Sequence, residues 1–134
     1  MRIVISEFIS LDGVIQAPGG PEEDTDGGFA FGGWQMDFDE GSVDGAPIAE
    51  WESRTEGLLL GRRTHEIWAS AWGVWDETVP GFIGELTRRY NRVPKYVASR
   101  TLTEVGWKNS QLLGADVPGA VAARSCEFFH PTSV

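Results

Sequence analysis

Residues 57–64 read Gly-Leu-Leu-Leu-Gly-Arg-Arg-Thr, and this stretch decides how we expect the chain to fold. Three consecutive Leu residues end abruptly on Gly61, as a short buried strand does when it reaches a turn. Apolar residues then recur at helical spacing, at Ile67, Trp68, Ala71 and Trp72. The simplest interpretation is a buried strand that runs directly into a helix.

The turn between this strand and helix is a candidate phosphate site. It places backbone N–H groups and the guanidinium groups of Arg62 and Arg63 at a helix N-terminus. The helix dipole favours an anion there, and arginine offers a two-donor fork. The alternative interpretation is that both arginines are solvated surface charges. A Gly-Arg-Arg-Thr motif alone is too short to decide between the two.

The composition is that of an acidic globular protein. The 134 residues carry a net charge of −9, and 41% of them are hydrophobic. This length allows one compact domain with a core, and the acidity argues against nonspecific binding to nucleic acids or anionic membranes. Acidic residues concentrate in residues 22–56. The later basic residues fit either one local pocket or separate surface positions; they are Arg62, Arg63, Arg88, Arg89, Arg92, Lys95 and Arg100.

The single cysteine, Cys126, excludes an internal disulfide and fits a reducing compartment. Together with His130 it is too little to indicate a metal site, so no metal is predicted. No apolar run reaches the length of a transmembrane helix, and the first residues do not resemble a signal peptide. We therefore expect a cytoplasmic protein.

The N-terminal segment predicts a strand and then a long loop. Residues 2–9 are rich in β-branched residues, which favours a central strand buried on both faces. Glu7 in such a strand lies either at an exposed end or against a polar pocket, and we favour the pocket. Asp12-Gly13 marks a turn. Residues 16–33 are rich in glycine and acids and predict a loop of the kind that is functional or mobile.

The middle of the chain predicts a helix after an ambiguous segment. Residues 34–45 alternate aromatic and acidic side chains and fit either a short strand or the start of a helix. Pro47 suits the first turn of a helix that runs to about Glu56. The inner face of that helix would carry Ile48, Trp51 and Thr55.

The later elements complete an alternating pattern. Residues 74–80 predict a loop, and Phe82, Leu86 and Tyr90 predict a helix that ends before Pro94. Residues 95–99 predict an inner strand, residues 111–113 another strand, and a helix begins at residue 116 or 117. From residue 124 onward no pattern is evident. Alternation of strands and helices implies an α/β layered sheet with parallel neighbours, which binds ligands at the carboxyl ends of its strands.

Three segments, taken in order, resemble the dihydrofolate reductase-like family. The branch they resemble is related to the reductase domain of the bacterial riboflavin-biosynthesis deaminase-reductase. The segments are Ile-Val-Ile-Ser-Glu-Phe-Ile-Ser-Leu-Asp-Gly-Val-Ile (3–15), Leu-Leu-Leu-Gly-Arg-Arg-Thr-His-Glu-Ile-Trp (58–68) and Pro-Lys-Tyr-Val-Ala-Ser-Arg-Thr-Leu (94–102). The resemblance covers residues 1–121 and implies a three-layer α/β sheet with flanking helices.

The resemblance also implies where ligands bind. The strand-to-helix turn would hold the phosphates of NADPH, and the arginines would favour NADPH over NADH. The segment after the later strand would hold the adenosine half, and residues 10–13 would lie beside the nicotinamide. Trp34 and Phe38 would form walls of the substrate pocket. The implied cofactor-binding residues are Gly61, Arg62, Arg63 and Thr64, and then Ser99, Arg100 and Thr101.

The implied reaction is hydride transfer from NADPH to a C=N or C=O bond of a small pterin- or pyrimidine-like heterocycle. Glu7, Asp12 or Asp37 would orient the substrate or relay a proton, although Asp12 equally suits holding its own turn. One alternative is a non-catalytic relative that binds a small aromatic ligand through its tryptophans or serves as an assembly subunit. Another is a generic α/β domain whose turn binds some other phosphorylated ligand.

The chain departs from the family after residue 121. Family members continue with a further strand, a Gly-Gly phosphate loop, a helix and a hairpin, which residues 122–134 do not match. We therefore expect a dihydrofolate reductase-like domain over residues 1–121, truncated at its C-terminus, and a divergent tail over residues 122–134. The sheet would then keep open edges, which favour pairing with a second copy and hence a homodimer.

Overall fold

The computed structural model describes residues 3–36 and 46–127. The chain divides into two compact units, residues 2–47 and residues 48–134. The C-terminal unit contains the regular structure that surrounds the candidate site. Among the described residues, no helix is long and apolar enough to cross a membrane.

Four α-helices and three strands follow one another in the described residues. Helix α1 spans Ala46–Ser53, strand β1 Leu58–Gly61 and helix α2 Arg62–Ala71. Helix α3 spans Gly81–Arg92, strand β2 Lys95–Ala98, strand β3 Ser110–Leu112 and helix α4 Val117–Glu127. The periodicities of the sequence predict all of these elements to within a few residues. Helix α4 crosses residue 121 without a break.

The three strands form one parallel sheet in the order β1-β2-β3. Leu58 pairs with Lys95 and Gly61 with Ala98, while Lys95 also pairs with Ser110. The mixed α/β class with a parallel sheet and flanking helices is therefore confirmed. Because β1 and β2 run in the same direction, the segments that follow them lie at the same end of the sheet. We call this end, where the carboxyl ends of the strands lie, the carboxyl edge.

An aromatic core joins α2 and α3 to one face of the sheet. The ring of Tyr90 from α3 lies 5.0 Å from that of Trp68 and 5.1 Å from that of Trp72, both on α2. Trp68 and Trp72 reach the same face because they are four residues apart in a helix. The buried members of this core are Leu60, Leu86, Tyr90 and Trp107.

The predicted central strand at residues 2–9 is wrong for the residues that the structure describes. Residues 3–10 lie outside regular structure, and Ile5 is 90% exposed. In the described part of the chain, the backbone of residues 3–9 takes part in one hydrogen bond, from the Phe8 N–H to the Glu7 carboxylate (3.2 Å). β-Branched composition favours an extended backbone, but a strand forms only where another strand accepts its hydrogen bonds.

The inner face predicted for α1 is also wrong in part. The Trp51 side chain is 61% exposed, and Thr55 lies beyond the end of the helix. The side chain of Ile48 is outside the described set. A helix of only eight residues has few positions that face a core, and its Glu52 makes a polar contact with Tyr90.

Residues 3–36 of the N-terminal unit form an irregular segment held by local hydrogen bonds. The predicted turn at Asp12-Gly13 is present, with Gly13 at a φ of 90° that favours glycine. The predicted loop over residues 16–33 is present as well, and its only helix is a single 3-10 turn at Asp26–Gly28. Gln16 closes this loop, because its side-chain amide donates to the carbonyls of Asp24 and Asp26 at 3.2 and 3.0 Å.

Candidate functional site

The N-terminus of α2 is open to a ligand. Gly61 is the N-cap residue, and no side chain of the described residues caps this helix. The space beside Gly61 is also open, since no described atom outside Gly61 and its two chain neighbours lies within 4 Å of the position that a Cβ would occupy. The first N–H groups of a helix have no partner inside the helix, so they can donate to an anion.

The N-terminus of α4 at the same edge of the sheet is already capped. The Asp116 Oδ1 accepts a hydrogen bond from the Gly119 N–H at 3.0 Å. A carboxylate at this position satisfies the end of the helix and repels a second anion. Of these two helix ends, the one at α2 is therefore suited to a phosphate.

Arg62 links the two segments that the sequence predicts to bind the cofactor. Its Nε–H donates to the Glu66 Oε1 at 2.8 Å, and its Nη1 donates to the Thr101 Oγ1 at 2.9 Å. The two hydrogen bonds join the first turn of α2 to the segment after β2. The Arg62 side chain remains 47% exposed, so its guanidinium is accessible from solvent.

The segment after β2 is shaped by Ser99. The Ser99 Oγ accepts the backbone N–H groups of Thr101 at 3.2 Å and Leu102 at 3.0 Å. Such a serine turn fixes the local backbone and thereby holds the Thr101 hydroxyl in reach of Arg62. Ser99 therefore has a structural role in this turn, while its role towards a cofactor stays a prediction.

The other predicted cofactor residues lie at the same edge. Arg63 and Thr64 are exposed on the first turn of α2, and Arg100 is exposed after β2. A pocket of about 280 Å³ lies between the end of β2 and the start of α4, beside Arg100. Its lining residues are Ala98, Ser99, Arg100, Gly114, Ala115 and Val117. The hydrogen bond from Arg62 to Thr101 is the contact that brings the two predicted segments together.

The basic residues are not gathered in one pocket. Arg62 and Arg100 belong to the carboxyl edge of the sheet, whereas Arg88, Arg89 and Arg92 line a groove between α1 and α3. Glu52 and Glu85 line the same groove, so its charges are mixed. Lys95 is fully buried. The sequence was compatible with either one local pocket of basic residues or separate surface positions for them. The structure shows separate positions.

The amino end of the sheet carries a buried polar network. The Lys95 Nζ donates to the carbonyls of Tyr90 and Val93 and lies 4.4 Å from the centroid of the Trp107 ring. The Trp107 Nε1–H donates to the Asn91 Oδ1 at 2.7 Å. Burial lowers the pKa of Lys95 to about 8, and nearby Lys108 adds to the shift. A fully buried amine is closed to a ligand, so we assign it to stability.

His65 belongs to the same network. It is buried, its Nε2 lies 3.1 Å from the Ser110 Oγ, and its ring centroid lies 5.9 Å from that of Trp107. Burial lowers the pKa of His65, which keeps the imidazole neutral. The hydrogen bond ties α2 to β3, and this role suits a buried histidine.

The predicted catalytic and substrate residues belong to the N-terminal unit. Glu7 is exposed, so the polar pocket that we favoured for it is wrong. Asp12 accepts a hydrogen bond from the Ser10 hydroxyl at 2.6 Å, which lowers the pKa of the carboxyl and stabilises the turn. The Trp34 Nε1–H donates to the carbonyl of Gln16 at 3.0 Å. Asp37 and Phe38 lie outside the described residues.

Glu66 is the residue that the sequence reasoning missed at this edge. It lies four residues after Arg62, and oppositely charged residues at this spacing are neighbours on a helix surface. This spacing could therefore have been used to predict the pair of Arg62 and Glu66 from the sequence. The contact with Thr101, 39 residues away from Arg62, has no comparable signal in the sequence.

The described residues contain no group of three or more His, Cys, Asp or Glu side chains that could hold a metal ion. The side chains of Cys126 and His130 are outside that set. Comparison with models of known protein families and with curated protein sequences finds no match for this chain. The assignment of a function therefore depends on the residues and geometry described above.

Proposed function

We propose that the chain is a dihydrofolate reductase-like protein that uses NADPH to reduce a small pterin- or pyrimidine-like heterocycle. The observation that carries this proposal is the contact between Arg62 and Thr101 beside the uncapped N-terminus of α2. It joins two segments, 58–68 and 94–102, that resemble the cofactor-binding segments of that family.

The geometry fits the phosphate-bearing half of NADPH. A phosphate at the first turn of α2 would accept backbone N–H groups and donors of the Arg62 guanidinium. Open space beside Gly61 leaves room for it. Arg63 and Thr64 are proposed to help bind the phosphates, and Ser99, Arg100 and Thr101 are proposed to hold the adenosine half.

Bound NADPH would supply the hydride, and the protein would bind and orient the two reactants. Trp34 and Phe38 are proposed as walls of the substrate pocket. Glu7, Asp12 and Asp37 remain the proposed carboxylates. The lowered pKa of Asp12 keeps its carboxyl ionised, which suits orienting a substrate N–H group better than donating a proton.

The test is a titration of the protein with NADPH, followed by quenching of tryptophan fluorescence. Arg62→Gln is expected to weaken binding by roughly 10- to 100-fold, because a hydrogen bond to a charged group contributes about 1.5–3 kcal/mol. Arg54→Gln is the matched control, since Arg54 forms the same type of pair with Glu50 at 2.7 Å on α1. Saturable binding that is lost only in Arg62→Gln supports the proposal. Equal affinities in all three proteins contradict it.

A second candidate is a non-catalytic protein that binds a small aromatic ligand. It is favoured by Trp75, which is 44% exposed and whose ring lies 4.6 Å from that of Trp72. An exposed indole beside a second ring is a surface on which a flat ligand can stack. A thermal-shift screen separates the two functions, because a ligand at roughly 100 times its Kd stabilises a protein by about 2.7 kcal/mol.

We also propose a cytoplasmic homodimer. In the part of the chain that the structure describes, β1 and β3 are the edges of the sheet, and the Leu58–Leu60 edge carries no charged side chain or proline. Natural edge strands without such features tend to pair. Light scattering coupled to size exclusion would give the mass in solution, and a monomer at all concentrations would rule out the dimer.

A further inference from the structure

We propose that Glu66 sets the anion preference of the carboxyl edge, both as a positioning residue on Arg62 and as a negative charge beside the anion site. The inference rests on the proposed NADPH site and adds to it a residue that determines how strongly, and how selectively, a phosphate is held. It is carried by the chain of contacts from Glu66 to Arg62 to Thr101.

The two contacts hold the Arg62 guanidinium in one orientation. Arginine has five N–H donors in a planar fork. One of them, on Nε, donates to Glu66, and one on Nη1 donates to Thr101. A long side chain that is tied at two points loses less freedom when a ligand binds, so the donors that remain are preorganised for a phosphate.

The same contact places a negative charge beside the anion site. The Glu66 carboxylate lies 2.8 Å from the Arg62 Nε and neutralises part of the charge that would attract a phosphate. Glu66 is 43% exposed, so solvent screens this repulsion without abolishing it. Glu66 therefore has two opposing effects: it orients the guanidinium and it weakens the local positive potential.

Two substitutions separate the effect of the negative charge of Glu66 from the effect of holding the Arg62 guanidinium in one orientation. Glu66→Gln keeps an oxygen that accepts the Nε–H and removes only the charge, so it is expected to strengthen binding. Thr101→Val keeps the shape of the side chain and removes the oxygen that accepts the Nη1–H, so it is expected to weaken binding. The control is Glu50→Gln, because Glu50 forms the equivalent i,i+4 pair with Arg54 on a different helix.

The experiment measures the Kd of NADPH and of NADH for the wild type and the three variants at low and high salt. At ~0.1 M salt, Glu66→Gln is expected to bind NADPH about threefold more tightly than the wild type does. The gain should be smaller for NADH, which lacks the 2′-phosphate, and should fade at ~1 M salt, where the Debye length is about 3 Å. Thr101→Val is expected to weaken NADPH binding about threefold at both salt concentrations. Glu50→Gln should match the wild type.

A second readout keeps this inference distinct from the proposed function. The Arg62 Nε–H resonance in the ligand-free protein reports the contact with Glu66, and titration with inorganic phosphate reports anion binding without NADPH. If the wild type binds phosphate but not NADPH, and Glu66→Gln strengthens the phosphate response, the inference stands while the reductase proposal fails. If Glu66→Gln leaves both phosphate and NADPH affinity unchanged or lowers them, the inference is overturned.

Discussion

The two ends of the same three-stranded sheet hold their cations in opposite ways. At the amino end, Lys95 is fully buried, its amine donates to main-chain carbonyls, and Trp107 covers it. At the carboxyl end, Arg62 is 47% exposed and is held by one carboxylate and one hydroxyl. No buried side-chain polar atom of the described residues lacks a hydrogen-bond partner.

The difference shows which end is available for chemistry. A fully buried cation that is hydrogen-bonded to main-chain carbonyls contributes to stability and cannot reach a ligand. A cation that stays in contact with water at the ends of parallel strands can exchange water for a phosphate at small cost. Substitutions in the buried network around Lys95 should therefore change stability, and substitution of the exposed Arg62 should change binding.

The largest effect on stability is expected from Trp107→Ala. The ring is buried in the core, covers Lys95 and donates to Asn91, so its loss should lower the free energy of unfolding by about 3–5 kcal/mol. Urea unfolding followed by far-UV circular dichroism measures it. Trp51→Ala is the control, because Trp51 is 61% exposed and its loss should cost less than about 0.5 kcal/mol. Equal effects of the two substitutions would contradict the comparison.

The pH dependence of stability is the next test of the buried end. The pKa of Lys95 is about 8 in the folded protein, below its ordinary value of 10.5, so between these values the unfolded chain binds more protons. The free energy of unfolding should therefore rise with pH across this window, and Lys95→Met should lack that rise. The series stops near pH 9.5, because burial raises the pKa of Tyr90 and opposes the trend above about pH 10. A wild type and a variant with the same pH slope would refute this role of Lys95.

A smaller effect is expected from Asp116→Ala at the capped helix end. The substitution removes the oxygen that accepts the Gly119 N–H and should lower the free energy of unfolding by about 1 kcal/mol. Asp116→Asn keeps an oxygen acceptor and should remain close to the wild type in thermal unfolding. A loss of equal size in both variants would mean that the negative charge, and not the hydrogen bond, stabilises α4.

The smallest effect on stability is expected from Arg62→Gln. Its partner Glu66 is 43% exposed, and exposed ion pairs contribute about 0–1 kcal/mol. Chemical unfolding should therefore give a free energy within about 0.5 kcal/mol of the wild type, although NADPH binding is expected to be strongly weakened. A loss above about 2 kcal/mol would place Arg62 among the residues that hold the fold and would remove the contrast between the two ends.

Local patterns in the sequence predicted most of the regular structure. The Leu run before Gly61 predicts β1, and the spacing of Phe82, Leu86 and Tyr90 predicts α3, because both signals depend only on neighbours along the chain. The N-terminal segment shows the limit of such signals. Residues 3–9 have the composition of a strand, yet no strand of the described residues pairs with them.

The burial of charged residues is the second feature that local sequence patterns did not predict. Lysine is almost always exposed, and nothing in Lys-Tyr-Val-Ala indicates that Lys95 reaches the end of α3 and the ring of Trp107. Glu52, on the short helix α1, likewise contacts Tyr90 on α3. Contacts of this kind depend on where separate elements pack, and a pattern of spacing does not contain that information.

The sequence by itself determined the turn at Gly61, the helix that follows it and the parallel order of strands and helices, because backbone preference and side-chain periodicity act over a few residues. It also placed two polar segments at the carboxyl ends of β1 and β2. Only the tertiary structure decided that Arg62 bonds to Thr101, that Asp116 closes one helix end while Gly61 leaves another open, and that Lys95 is buried. Those outcomes depend on how elements that are far apart in the chain pack together, because this packing sets the positions of individual hydrogen-bonding groups.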